Sequence, residues 1–100
     1  MTHLEITEIR VHLRKEDKLK AFATVTFDHC FVVRNLKVIE SDKGLILCMP
    51  SRKMPDGSFK DVAHPITVEF RTLLERKVFA CYEQELRQAV AGTGLDSRVV

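Results

Sequence analysis

The sequence places a carboxyl, an imidazole and a thiol side by side at Asp28-His29-Cys30, the residue types of a cysteine nucleophile and its base. Neighbouring residues of an extended chain point to opposite faces, so adjacent side chains rarely form a working dyad. No oxyanion site or separately positioned base is identifiable for this thiol. We therefore predict that the chain is not an enzyme and has no catalytic residue. Asp28 is interpreted as a turn residue, Cys30 as a core residue, and His64 as a backbone-bonded residue at the start of a helix.

The pattern for a metal or cofactor site is also missing from the sequence. The four histidines and three cysteines show no CxxC, HxxxH or HxH spacing. The four glycines are scattered, so none of them builds a phosphate-cradling loop. We predict no metal, no cofactor and no small-molecule substrate.

Basic residues form the other candidate chemistry. Arg52 and Lys53 are adjacent in a loop that ends in Pro55-Asp56-Gly57, a strong turn signal. Solvated side chains of this kind can contact two phosphates, and arginine can also read guanine through two hydrogen bonds. The alternative is a charged hairpin that only keeps the protein soluble.

A second group of basic residues lies in the early turns of a predicted helix. On a helical wheel, Arg71 and Arg76 fall on opposite flanks of the apolar stripe, and Lys77 falls close to its middle. Glu69 and Glu75 reduce the positive field. The alternative to a nucleic-acid surface is therefore a solvated helix face with ion pairs between residues four apart.

Recognition of single strands usually needs exposed aromatic rings for stacking. The chain has six phenylalanines and one tyrosine, and most of them fit core positions. Phe59, beside the basic loop, is the best stacking candidate, but core packing is the favoured interpretation. Contacts with the backbone and grooves of nucleic acid are accordingly favoured over a stacking platform.

These candidates must be positioned by strands in the first two thirds of the chain. Apolar and polar residues alternate there, with β-branched and aromatic runs joined by short polar connections. The alternation changes phase at Thr7-Glu8, which predicts a β-bulge. The predicted strands are residues 4–13, 19–27, 31–39, 45–49 and 58–62.

The period then changes to three and four residues, which predicts an amphipathic helix over residues 66–90. Pro65 suits a first helical position, and Thr67 is an alternative cap. Gly92 and Gly94 are predicted to end the helix, which gives one domain over residues 1–92 and a flexible tail over 93–100. The fold class is α+β: a small antiparallel β-meander sheet of about five strands, with one long C-terminal amphipathic helix on one face.

Composition narrows the class of protein. The net charge is only +2, which by itself is weak support for nucleic-acid binding. An odd number of widely spaced cysteines, three, predicts buried free thiols in a reducing compartment. No apolar run approaches the roughly 20 residues that span a bilayer. The first five residues do not resemble a signal peptide, so the expected location is the cytoplasm, without membrane contact.

One long segment carries a family resemblance. Residues 44–66 read GLILCMPSRKMPDGSFKDVAHPI, and residues 19–28 read LKAFATVTFD, followed by FVV at 31–33. Together they resemble the SpoVG family (stage V sporulation protein G) over roughly residues 4–76. The sequence departs from the family at Leu73, where relatives often place a second basic residue two positions after Arg71. After Arg76 the match is weak.

The resemblance implies a small antiparallel sheet with a helix, homodimers, and DNA or RNA binding in gene regulation, septation and sporulation. The apolar strand at residues 45–49 is a candidate for strand-edge pairing between subunits. A protein-interaction module of cell division, without nucleic-acid contact, is the alternative. The predicted nucleic-acid-binding residues are Arg52, Lys53, Lys60, Arg71 and Arg76.

Overall fold

A computed structural model describes the backbone of residues 4–95 and the side chains of residues 4–89. Four strands form an antiparallel meander in the order β1-β2-β3-β4, and two short strands, β5 and β6, form a separate ribbon before the helix. The elements are β1 Ile6–Leu13, β2 Leu19–Phe27, β3 Phe31–Ser41, β4 Gly44–Cys48, β5 Ser51–Lys53, β6 Phe59–Asp61 and α1 Val68–Leu95.

The α+β prediction is confirmed, and the meander follows the predicted alternation closely. On β2, Ala21, Ala23, Val25 and Phe27 are all buried, as their spacing predicted. The register of β1 against β2 shifts between Ile6 and Glu8, so the predicted bulge is present.

Strand β3 contains a second irregularity, which the alternation of its residues does not predict. Opposite β2, the pairing passes from Ala23↔Leu36 to Val25↔Val33, so two residues of β3 face one of β2. Asn35 has a φ of 67° at this bulge, in the left-handed region that asparagine tolerates better than most residues. Because of the extra residue, Val33 and Leu36 both pack toward the core although they are three positions apart.

The turn between β2 and β3 is fastened to the start of β1. Asp28 and His29 both have positive φ, and the Cys30 N–H donates to the Phe27 carbonyl over 3.0 Å. The Asp28 Oδ1 accepts a hydrogen bond from the Glu5 N–H at 2.9 Å, and the His29 N–H donates to Thr7 Oγ1. The Asp28 side chain and the His29 backbone thus have structural roles in the β2–β3 turn.

Helix α1 begins after Thr67, as the alternative cap predicted, because Thr67 Oγ1 accepts a hydrogen bond from the Phe70 N–H at 3.2 Å. Ile66 lies before the helix. The predicted end at Gly92 and Gly94 was wrong: the helical backbone continues to Leu95. A glycine inside a helix costs only about 1 kcal/mol, which two neighbouring turns can offset. Residues 96–100 of the predicted tail lie outside the described residues.

The core lies between one face of the sheet and α1. Leu74, Val78 and Tyr82 of the helix pack against the buried side chains of β2, β3 and β4. Among residues 4–95, no helix is both long and apolar enough to cross a membrane.

Two expectations require correction. The strand returning at β6 does not extend the meander, because its partner is β5, inside the predicted loop; the sheets therefore have four and two strands. The cysteines are free thiols, but none is fully buried, and Cys30 is exposed because it lies in the β2–β3 turn rather than on the inner face of a strand.

Candidate nucleic-acid interface

The β5–β6 ribbon is closed by the Pro-Asp-Gly turn that the sequence predicted. The Gly57 N–H donates to the Met54 carbonyl at 2.9 Å, and the Met54 N–H donates to the Ser58 carbonyl at 2.7 Å. Proline presets φ at the first central position, and Gly57 takes a φ of 91° that other residues rarely adopt. At the other end of the ribbon, the Val62 N–H donates to the Pro50 carbonyl at 2.7 Å. The ribbon is therefore a defined hairpin rather than an irregular loop.

Asp56 stabilises the tip of this hairpin. Its Oδ1 accepts hydrogen bonds from the Ser58 hydroxyl at 2.6 Å and from the Ser58 N–H at 2.9 Å. The hydroxyl contact, followed by the backbone contact, lowers the pKa of Asp56 below its ordinary value of 3.8. The carboxylate is therefore ionised at neutral pH and is committed to the turn.

Pairing across the ribbon sorts the basic residues by face. Arg52 lies directly opposite Lys60, whereas Lys53 lies opposite Phe59. Residues directly opposite each other share a face, and adjacent residues alternate. One face of the ribbon therefore carries two cations side by side, and the other carries a cation beside an aromatic ring.

Like charges directly opposite each other destabilise a strand pair. Three cations of the meander are paired: Arg10 with Glu8, Arg14 with Glu16, and Lys20 with Glu40. Within the part of the chain that the structure describes, Arg52, Lys53 and Lys60 form no such ion pair, although all three are exposed. Three exposed cations without an ion pair thus lie within one short ribbon, which also carries Asp56 and Asp61.

The two helix candidates are placed differently. Arg71 forms an ion pair with Glu75 at 3.2 Å and donates to the Leu47 carbonyl of β4 at 3.4 Å. Its guanidinium is therefore held in a structural contact, as the alternative interpretation of the helix face proposed. Arg76 is exposed and five positions further along the helix, which places it about 140° around the axis from Arg71. The structure does not combine Arg71 and Arg76 into one surface.

Phe59 is not a core residue, contrary to the favoured interpretation. Its side chain is 68% exposed, because the ribbon stands apart from the main sheet and has nothing packed on that face. The structure thus leaves an accessible ring next to Lys53.

Sequence reasoning missed two basic residues on β3. Arg34 and Lys37 are exposed and line a groove of about 630 Å³ that runs from β3 to the base of the ribbon at Pro50, Ser51 and Val62. The β3 bulge decides which of these side chains leave the core. An Asn in a strand-like run was the only available signal of that bulge.

Two of the residues weighed for catalysis contact the backbone. His64 Nδ1 lies 2.9 Å from the Pro65 carbonyl, in the connection before α1. That contact matches the predicted backbone-bonded role. Cys30 belongs to the β2–β3 turn described above.

An apolar region surrounds the same connection. Phe31, Val62, Ile66 and Val68 are large apolar side chains with at least half of their surface exposed. Next to them, a cavity of about 410 Å³ opens between the start of α1 and the ends of β2 and β3. This arrangement fits a protein contact, because exposed apolar clusters mark interaction surfaces.

Comparison with known proteins gives one consistent result. The family model SpoVG matches residues 4–84, which extends the resemblance beyond Arg76 and through Tyr82. A protein of Myxococcus xanthus (strain DK1622) named "Putative septation protein SpoVG" is 49% identical over 89 residues, covering 89% of this chain and 90% of the relative. Relatives with the same name in Anaeromyxobacter dehalogenans (strain 2CP-C) and Bdellovibrio bacteriovorus (strain HD100) are 47% and 48% identical. They cover 93% and 84% of this chain, and 96% and 78% of their own lengths.

Proposed function

The chain belongs to the SpoVG family, and from this premise we propose that it is a cytoplasmic regulator that binds DNA or RNA through its β5–β6 ribbon. The observation that carries the proposal is the opposition of Arg52 and Lys60 without a neutralising carboxylate. Repulsion between these two cations destabilises the free ribbon slightly. The phosphates of a nucleic acid would attract both cations and offset that repulsion. The septation named in its relatives is the process in which we place this activity.

Each ribbon residue has a distinct part in this proposal. Arg52 and Lys60 contact successive phosphates from one face, while Lys53 approaches from the other face or from its edge. Arg71 supports the interface through its contact with β4 rather than by binding phosphate. Arg76, on the helix, adds positive charge outside the ribbon.

A mobility-shift titration tests the proposal directly. Wild type and an Arg52→Ala/Lys53→Ala variant are compared across salt concentrations, with Lys43→Gln, in the exposed β3–β4 turn, as the matched control. If the ribbon binds phosphates, log K falls linearly with log salt, and the double variant flattens the slope by about 1.4 to 1.8 units. Equal affinity in wild type and double variant contradicts the ribbon assignment.

We also propose that the protein is a homodimer formed by pairing along strand β4. β4 is the last strand of the meander and has no strand on its outer side within residues 4–95. Ile46 is 46% exposed on this strand, which suits a partner's apolar residue. Ile46→Lys is expected to convert dimer to monomer in analytical ultracentrifugation, and a wild-type monomer at micromolar concentration contradicts the dimer.

The exposed apolar region around Phe31, Ile66 and Val68 favours a second candidate function. In this second candidate function, the protein is an interaction module of cell division that does not contact nucleic acid. A wild-type protein that binds no DNA or RNA at low salt supports this second function and removes the first.

A further inference from the structure

The groove between β3 and the base of the ribbon offers more than additional phosphate contacts. Its lining combines two exposed cations, two aromatic rings and small apolar side chains. The lining residues used below are Phe22, Phe31, Arg34, Lys37, Ser51 and Val62. Resting on the proposed nucleic-acid binding, we propose that this groove accepts an unpaired base of a single-stranded segment, with its phosphates on Arg34 and Lys37.

Charge supports an anionic occupant. The lining contains no Asp or Glu, and neither Arg34 nor Lys37 forms an ion pair within residues 4–89. Arg14, on the neighbouring part of the sheet, is by contrast neutralised by Glu16. Lys37 also argues against a protein partner, because lysine is depleted in protein interfaces.

Aromatic surface supports a base rather than a free phosphate. Phe31 is 63% exposed at the start of β3, next to Val32, which also lines the groove. Phe22 lies directly opposite Lys37 in the β2–β3 pairing, but the Arg14 guanidinium already lies over its ring, 5.6 Å from the centroid, so Phe31 is the ring left for a base. Bases stack on such rings without sequence preference, while nearby cations hold the backbone.

Shape supports an unpaired nucleotide over a duplex. A groove of about 630 Å³ is in the usual size range for a bound small molecule, about 300–1,000 Å³. In a duplex, the faces of each base are already covered by stacking and are not available to Phe31. The ribbon adjoins the groove at Ser51, so the strand can continue from Arg34 and Lys37 toward Arg52.

Fluorescence anisotropy with the full chain tests the groove on three labelled probes: a mixed-sequence single strand, its duplex, and an abasic single strand of equal length. Phe31→Leu removes the ring and keeps an apolar side chain. We expect about tenfold weaker binding of the single strand, with the abasic strand and the duplex changed by less than about twofold. Arg34→Gln/Lys37→Gln is expected to weaken single-strand binding and to flatten its salt slope by about 1.4 units, whereas Lys43→Gln leaves it unchanged.

The failures of the two proposals are distinguishable. If wild type binds and Phe31→Leu weakens all three probes equally, or none, the groove is refuted while the ribbon proposal stands. If wild type binds no probe, both proposals fail. Should Phe31→Leu lose its folded circular dichroism spectrum, the Arg34→Gln/Lys37→Gln variant decides: an equal loss on single strand and duplex refutes the groove. A change of oligomeric state in either variant identifies the groove as a subunit contact and also refutes it.

Discussion

The guanidinium of Arg71 donates a hydrogen bond to the carbonyl oxygen of Leu47 over 3.4 Å, which ties the first turn of α1 to strand β4 at the end of the meander. The same guanidinium pairs with Glu75 one turn later. An arginine that the family resemblance suggested for nucleic acid is thus first a link between helix and sheet.

Arg71→Ala is expected to destabilise the fold by about 0.5–1.5 kcal/mol, because it removes one hydrogen bond to the backbone and one half-exposed ion pair. Urea denaturation measures the change. Arg76→Ala is the matched control, since it also replaces a helical arginine by alanine but removes no ion pair within residues 4–89. Equal midpoints for the two variants contradict a structural role for Arg71.

Lys60→Glu is expected to stabilise the ribbon and at the same time to weaken nucleic-acid binding. The change places a carboxylate opposite Arg52, and an opposite-charge cross-strand pair contributes about 0.2–1 kcal/mol. Hydrogen exchange at the Val62 amide, which donates to the Pro50 carbonyl, is expected to slow. Nucleic-acid affinity falls in the same variant, as mobility shift would show. Unchanged affinity means that the Arg52–Lys60 face does not bind phosphate.

Thr67→Ala is expected to lower the free energy of unfolding by about 1 kcal/mol, because the Phe70 N–H loses its side-chain acceptor. Thr72→Ala, at an exposed position inside the same helix, is the control and is expected to be neutral or slightly stabilising. Thermal or urea unfolding distinguishes them. If Thr67→Ala matches the control, the helix does not depend on this cap.

Asn35→Ala is expected to destabilise the protein by about 1 kcal/mol, because alanine tolerates a φ of 67° poorly. Asn35→Gly, which adopts this backbone freely, is expected to stay close to wild type. Equal stabilities for the two variants show that the β3 bulge does not require a left-handed residue. Since the bulge positions Arg34, the alanine variant is also expected to weaken single-strand binding.

Ser58→Ala is expected to raise the pKa of Asp56 toward its ordinary value of 3.8, because it removes the hydroxyl contact that lowers that pKa most. The backbone contact remains, so the return is partial. A depressed carboxyl pKa stabilises the turn above the unfolded value, and this contribution is lost as pH falls through the folded value. Carbon-detected NMR titration measures the pKa of Asp56 in wild type and in Ser58→Ala. Identical titration curves contradict the assigned cause.

The sequence by itself determined the parts of this protein that depend on local pattern. Alternation predicted the strands of the meander and the β1 bulge, and the Pro-Asp-Gly turn predicted a hairpin at the basic loop. Thr67 was recognised as a possible cap because capping involves only a few consecutive residues. The 23-residue segment over 44–66 was sufficient to identify the family.

Only the tertiary structure decided where the side chains of the interface lie. Pairing of β6 with β5 rather than with the meander leaves Phe59 exposed and sets Arg52 opposite Lys60. The β3 bulge brings Arg34 into a groove, and Arg71 is drawn to a carbonyl 24 residues away in the chain. Such relationships depend on register and on contacts between distant residues, which neither local propensity nor period specifies.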